Sequence, residues 1–172
     1  MPDRLTRKDK EEYATKLTLL GVFVSIFAAF THHYQEQRRG RAQRPISPMD
    51  LVLLGLSTLR LGRMVSYDLV TEPLRQPFTK TVPDPTGAGD TVEPREGSGF
   101  QRSLGQLIAC PICTGTWVAA GLVYFFYSLP GPSRIFMTMM GTTGLAEILN
   151  ALVENWSWSG QLARVRAGNE ET

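Results

Sequence analysis

Apolar residues in this chain gather in blocks instead of alternating at the period of a half-buried strand. Residues 17–34 contain no Asp, Glu, Lys or Arg and end in His and Tyr, long enough as a helix to cross a hydrocarbon core of about 30 Å. Residues 51–70 are apolar at most positions, but Arg60 and Arg63 interrupt them. A block at 104–129 is divided by Pro111, a residue welcome in a first helical turn and disruptive further in. It predicts a short interfacial helix over 102–109 and a helix proper over 111–129. The last block, 135–153, is rich in Met, Gly and Thr, and Trp156 and Trp158 follow where an aromatic belt would sit. The pattern predicts an all-α integral membrane bundle of three to four spans, the 49–70 helix being the one whose crossing is open.

The polar segments complete the division. A basic head covers 1–16, the anchor 17–34 and an Arg-rich turn 35–48, which carries Arg38, Arg39, Arg41 and Arg44. A membrane domain spans 49–153 with a polar loop at 71–103, and a polar tail follows at 154–172. Within the loop, 79–82 and 91–93 flank a turn and suit a short hairpin, or the segment is irregular. Pro130-Gly131-Pro132 reads as a turn before the last span. The head and anchor imitate a signal peptide, but Ile26 and Phe27 are bulky at the minus-three positions for cleavage after Ala28 or Ala29, so an uncleaved anchor is expected.

Charge then sets the orientation. Net charge is +2, from 18 basic and 16 acidic residues, and supplies no overall field for nucleic acid. If residues 49–70 span, the head, the 71–103 loop and the tail share eleven basic residues on one side, against five in the other two loops. The richer side is expected in the cytoplasm of a bacterial inner membrane, and a three-span arrangement also puts the loop and the tail there.

Three clusters carry candidate chemistry. Arg60 and Arg63, three residues apart, share a helix face, and Glu147 in the last span is their expected partner, with Asn150 one turn further on. Such an ion pair locks two helices; a lined path for a proton or anion is the alternative. Cys110-Pro111-Ile112-Cys113 opens a helix, where the amide-rich terminus favours a thiolate. A packing role, metal ligation and redox chemistry all remain open for this pair. A structural zinc needs four ligands, so two chains would have to pool their cysteines, His32 and His33 being distant in sequence. Residues 84–90 resemble the D-T-x-G-A-G-D stretch of ribokinase-type sugar kinases, but the apolar blocks on both sides leave no room for the large α/β domain such a kinase needs.

The stretch from 51 to 123 resembles the bacterial membrane-protein family known as domain of unknown function 1360, which includes sporulation-associated members. The matching residues are Ser57-Thr58-Leu59-Arg60-Leu61-Gly62-Arg63, then Asp68 with Thr71-Glu72-Pro73-Leu74-Arg75, then Leu104-Gly105 leading to Cys110-Pro111-Ile112-Cys113-Thr114-Gly115-Thr116-Trp117-Val118. The resemblance extends through the last span and departs over the first 45 residues. It implies a family pattern that includes Arg60, Arg63, Asp68, Arg75, both cysteines and Trp117, and no established activity. The expected role is that of a structural or accessory subunit of a membrane protein assembly, in contact with lipid and with other subunits or further copies of itself. It needs no cofactor and has no catalytic residue; its working surface is the 71–103 loop with the small-residue face of Gly141, Gly144 and Ala151. The competing expectation is a membrane thiol-redox or metal-binding protein centred on Cys110 and Cys113.

Overall fold

The computed structural model describes residues 7–37, 45–84 and 90–170. The arginines at 38, 39, 41 and 44, and residues 85–89 of the glycine stretch, lie outside the described residues. Six helices and one hairpin follow in order: α1 (Arg7–Gln37), α2 (Pro48–Tyr67), a 3-10 turn (Leu69–Thr71), α3 (Glu72–Arg75), β1 (Thr79–Pro83), β2 (Asp90–Pro94), α4 (Gly99–Ala109), α5 (Pro111–Ser128) and α6 (Pro130–Glu170).

Local chemistry explains the helix ends. Ser47 caps α2 through a reciprocal box in which its Oγ accepts from the Asp50 amide at 3.1 Å and Asp50 accepts from the Ser47 amide at 3.3 Å. Pro48 fills the first helical position, where no N–H is needed. The same rule corrects the expected Pro-Gly-Pro turn. Pro130 and Pro132 lie in the first turn of α6, and Ser133 N donates to Leu129 O at 3.0 Å, so the reversal after α5 is confined to Leu129. The helix also continues through the expected polar tail to Glu170. With 41 residues it is about 62 Å long, roughly twice a hydrocarbon core.

The packing order follows from pairs along the helices. α6 runs parallel to α2, because Asp50 meets Arg134, Ser57 Oγ donates to Met137 O at 2.9 Å, and Arg63 meets Glu147. α5 runs antiparallel to α2, with Gly62 against Pro111 and Gly115, and Leu54 in a buried cluster with Leu122, Phe126 and Met137. α1 runs parallel to α5, with Phe23 on Trp117, Phe30 on Tyr124 and Tyr34 on Tyr127 at centroid distances of 4.9, 4.0 and 5.0 Å. At the other end of the bundle, β1 and β2 pair antiparallel from Thr79 opposite Pro94 to Pro83 opposite Asp90. The architecture is thus mostly helical, with one small two-stranded sheet in the 71–103 loop.

Among the described residues, two helices are long and apolar enough to cross a membrane, over Lys10–Glu36 and Pro130–Gly160. A third crossing is available if α4 and α5, bent by 82° at Cys110, count as one broken span. Leu17, Leu20, Phe27, Leu152 and Val153 are all more than half exposed, so both of these helices carry apolar surface that the rest of the fold does not cover. The expected free small-residue face of α6 is used internally. A methyl group on Gly144 would strike the Leu56 carbonyl, and one on Gly141 would touch Leu53, so both glycines serve the close crossing with α2; Ala151 alone stays exposed.

Candidate functional site

The end of α2 nearest the hairpin collects most of the chain's interior charge. Arg60 grips Asp68 with both terminal nitrogens, at 2.5 and 3.3 Å, and Glu147 lies 3.8 Å from one of the same two nitrogens. Arg63 Nε is 2.5 Å from Glu147, and its guanidinium sits 5.9 Å over the Tyr67 ring. Two cations and two carboxylates make a neutral set, the condition under which charges persist at a protein–membrane boundary. Glu147 stands about 26 Å along α6 from Pro130, beside the last turns of α2. Asn150 is exposed and takes no part.

Asp68 has a second use. Thr71 Oγ1 donates toward the last carbonyls of α2, Met64 O at 2.5 Å and Asp68 O at 2.9 Å. Arg75, only 3% exposed, donates to Asp68 O at 2.5 Å, Tyr67 O at 3.3 Å and Thr71 Oγ1 at 3.1 Å. A guanidinium on the carbonyl end of a helix satisfies orphan acceptors and offsets the dipole together. Next in sequence, Thr79 Oγ1 donates to Arg75 O, and Arg95 Nε bridges Gln76 O at 2.9 Å and Thr79 O at 3.3 Å. The hairpin is thereby held under the α2 terminus. Gly105 of α4 lets Phe78 O and Pro94 approach where any larger residue would collide.

The cysteine pair occupies the 82° corner. Cys110 is the N-cap of α5, its sulfur accepting from the Cys113 amide at 3.3 Å. The Cys113 thiol and the amides at the start of α5 together hold the Cys110 thiol below its ordinary range. Cys113 is exposed and Cys110 partly so, and both are free thiols. The corner is braced by Ser66 Oγ on Ile108 O at 2.7 Å and Thr114 Oγ1 on Leu107 O at 2.8 Å, which satisfy the last carbonyls of α4. Among the described residues, no three His, Cys, Asp or Glu side chains gather in a way that could hold a metal ion. His32 and His33 lie toward the other end of the bundle, because α1 runs parallel to α5 and its neighbouring Tyr34 packs on Tyr127, about 20 Å or more from the corner. The kinase-like stretch fares no better: Asp90 begins strand β2, where phosphate binding needs the amide cluster of a helix start.

Two ties escaped the sequence reading. Asp50, 5% exposed, receives Arg134 at 3.1 Å and joins the other ends of α2 and α6. Asp68 is the main partner of Arg60. The available signal was position alone, since Asp50 and Arg134 each follow a proline that opens a helix.

Residues 53–153 match the family described as protein of unknown function DUF1360. The chain belongs to this family. Similar proteins are the sporulation protein YjcA of Bacillus subtilis strain 168, 32% identical over 113 residues, which are 64% of this chain and 96% of the relative. The UPF0713 protein YngL of the same organism is 30% identical over 112 residues, 63% of this chain and 81% of the relative. No solved structure matches significantly. Several polar residues of the matched segment have places in the fold: Ser57 joins the middle of α2 to α6, and Arg60, Asp68, Thr71, Arg75 and Thr114 bond to backbone or to one another around the hairpin end of α2 and α5.

Proposed function

We propose that the chain is a structural or accessory component of a bacterial membrane assembly, without catalysis of its own, built on four spans with the head, the 71–103 loop and the tail in the cytoplasm. One observation carries the role: Arg60, Asp68, Thr71, Arg75 and Thr114 of the family segment are engaged in tying helix ends and the hairpin together. The four-span reading rests on α2 lying between α5 and α6 along their shared length, so that a bilayer crossed by α6 is crossed by its neighbours. Its charges support this, because Asp50 stands at one end of α2 and Arg60 and Arg63 toward the other, near the levels reached by headgroups and water. The excess of basic residues on the side of the head, loop and tail supports the orientation. The name of one relative, a sporulation protein, is compatible with this role and specifies no chemistry.

Two measurements test the proposal. Native electrophoresis of membranes solubilised in mild detergent should show the chain in a particle larger than its own 19.1 kDa plus detergent. A lone monomer refutes the assembly role. In a background with both native cysteines replaced by serine, a cysteine placed at Thr91 should escape an impermeant thiol reagent in intact cells; strong labelling refutes the orientation.

The position of Cys110 at the amino end of α5 favours a second reading, a membrane thiol-redox or metal-binding protein in which two chains pool Cys110 and Cys113 as four thiolates. Stoichiometric metal in the purified dimer, lost on alkylation, would favour it over the first.

A further inference from the structure

A groove of about 520 Å³ runs between α1, α4 and α5. Most of its wall is apolar, with Leu20, Phe23 and Trp117 along it, and its polar residues include Lys16, Ser103 and Gln106. Because α4 leaves α5 at 82°, α4 lies along the membrane surface when α5 stands along the bilayer normal. The groove then leads from headgroup level into the acyl region.

Its polar part holds a cation with unused donors. Glu12 accepts from Lys16 Nζ at 2.6 Å and lies 3.9 Å from Arg102 Nε, so one carboxylate faces two cations. An ammonium has three N–H donors, and Glu12 occupies one of those on Lys16, which is half exposed. Ser103 is 2% exposed, and its hydroxyl has no hydrogen-bond partner, whereas buried hydroxyls are ordinarily paired. An apolar channel with a half-exposed ammonium and an unpaired hydroxyl at one part of it is complementary to a molecule with a hydrocarbon chain and an anionic, oxygen-rich head.

We propose that this groove binds an anionic phospholipid of the cytoplasmic leaflet, its phosphate between Lys16 and Ser103 and one acyl chain along Leu20, Phe23 and Trp117. The inference rests on reading α1 and α5 as spans with the head in the cytoplasm. Bound lipid would add to the ties that already join α1 to α4 and α5 at this level, where Gly99 packs on the backbone at Glu11, Glu12 faces Arg102 and Phe23 meets Trp117.

Trp117 reports on the groove directly. Replacing Trp156 and Trp158 by phenylalanine leaves it as the only tryptophan of the three. The full chain is reconstituted into phosphatidylcholine vesicles containing a minor fraction of phosphatidylglycerol, with bromine on the chains of one lipid or of the other. Brominated phosphatidylglycerol should quench Trp117 with an association about fivefold stronger than brominated phosphatidylcholine, the effect of one basic side chain near an anionic head. Lys16→Gln should abolish the preference. Ser103→Ala, which removes one buried hydroxyl and leaves the fold, should reduce it, and excess inorganic phosphate should leave it unchanged. Equal quenching by the two lipids overturns the proposal, as does a preference that survives both substitutions. Displacement by inorganic phosphate makes this a free-anion site and overturns the lipid assignment. Failure to enter vesicles at all would overturn the span reading and this proposal with it, whereas entry without preference overturns this proposal alone.

Discussion

Replacing Gly144 by alanine puts a methyl carbon 2.5 Å from the Leu56 carbonyl oxygen and 3.3 Å from the Arg60 Cβ. The first of these is backbone of a facing helix and has no rotamer to turn away. The two helices are also tied on both sides of the contact, by Asp50 with Arg134 and by Arg63 with Glu147, so α6 cannot tilt off α2 without stretching an ion pair. Overpacking of this kind costs about 1–3 kcal/mol. Alanine recovers about 1 kcal/mol of helix propensity relative to glycine. The net expectation is a loss of up to about 2 kcal/mol, and a chain of this size loses about 2–4 °C of Tm for each kcal/mol. Thermal unfolding in detergent, followed by circular dichroism, measures it. Gly55→Ala and Gly21→Ala are the controls, since nothing lies within 4 Å of either added methyl group, and both should be neutral or slightly stabilising. Gly141→Ala should be milder than Gly144→Ala, because its nearest obstacle is the movable Leu53 side-chain end at 3.3 Å. A Gly144→Ala protein that melts as high as the Gly55→Ala control refutes the close crossing of α2 and α6.

The ion-pair set should respond unequally. Glu147→Gln leaves Arg63 half exposed and Arg60 still on Asp68, for a loss of about 1 kcal/mol, while Arg60→Met strands Asp68 and costs about 3 kcal/mol; the opposite order of melting temperatures would count against the cluster as described. The chain should stay in the membrane pellet through high salt and alkaline carbonate, and recovery in the supernatant would remove the spans. In Cys113→Ser, whose hydroxyl keeps a donor beside Cys110, the single thiol should react with iodoacetamide with a pH midpoint below the ordinary thiol value of about 8.5. The sign follows from stabilisation of the thiolate by the donors at the start of α5, and a midpoint at or above that value contradicts it.

The long apolar helices were legible along the chain because they depend on a local quantity. A segment of some twenty apolar residues has no way to satisfy its backbone in a bilayer except as a helix, wherever its neighbours are. The family segment was legible for the same reason, as an ordered set of residue types. The hairpin at 79–83 and 90–94 stood as one of two options, since short polar strands carry little periodicity.

Partners were another matter. The sequence placed Arg60, Arg63 and Glu147 in one group, but Asp68 as the main holder of Arg60, Asp50 with Arg134, and Arg75 on the end of α2 emerge only from the fold. Each depends on the register between helices, and that register is fixed where backbones approach most closely, at Gly141 and Gly144 against α2 and at Gly62 against α5. Small residues announce that a close crossing exists without saying which helix comes to it. By itself the sequence determined that the long apolar segments become helices, because hydrogen bonding and hydration act residue by residue. Only the tertiary structure decided that α6 presents its glycines to α2 and not to a partner, because that choice is made by steric fit between surfaces more than eighty residues apart.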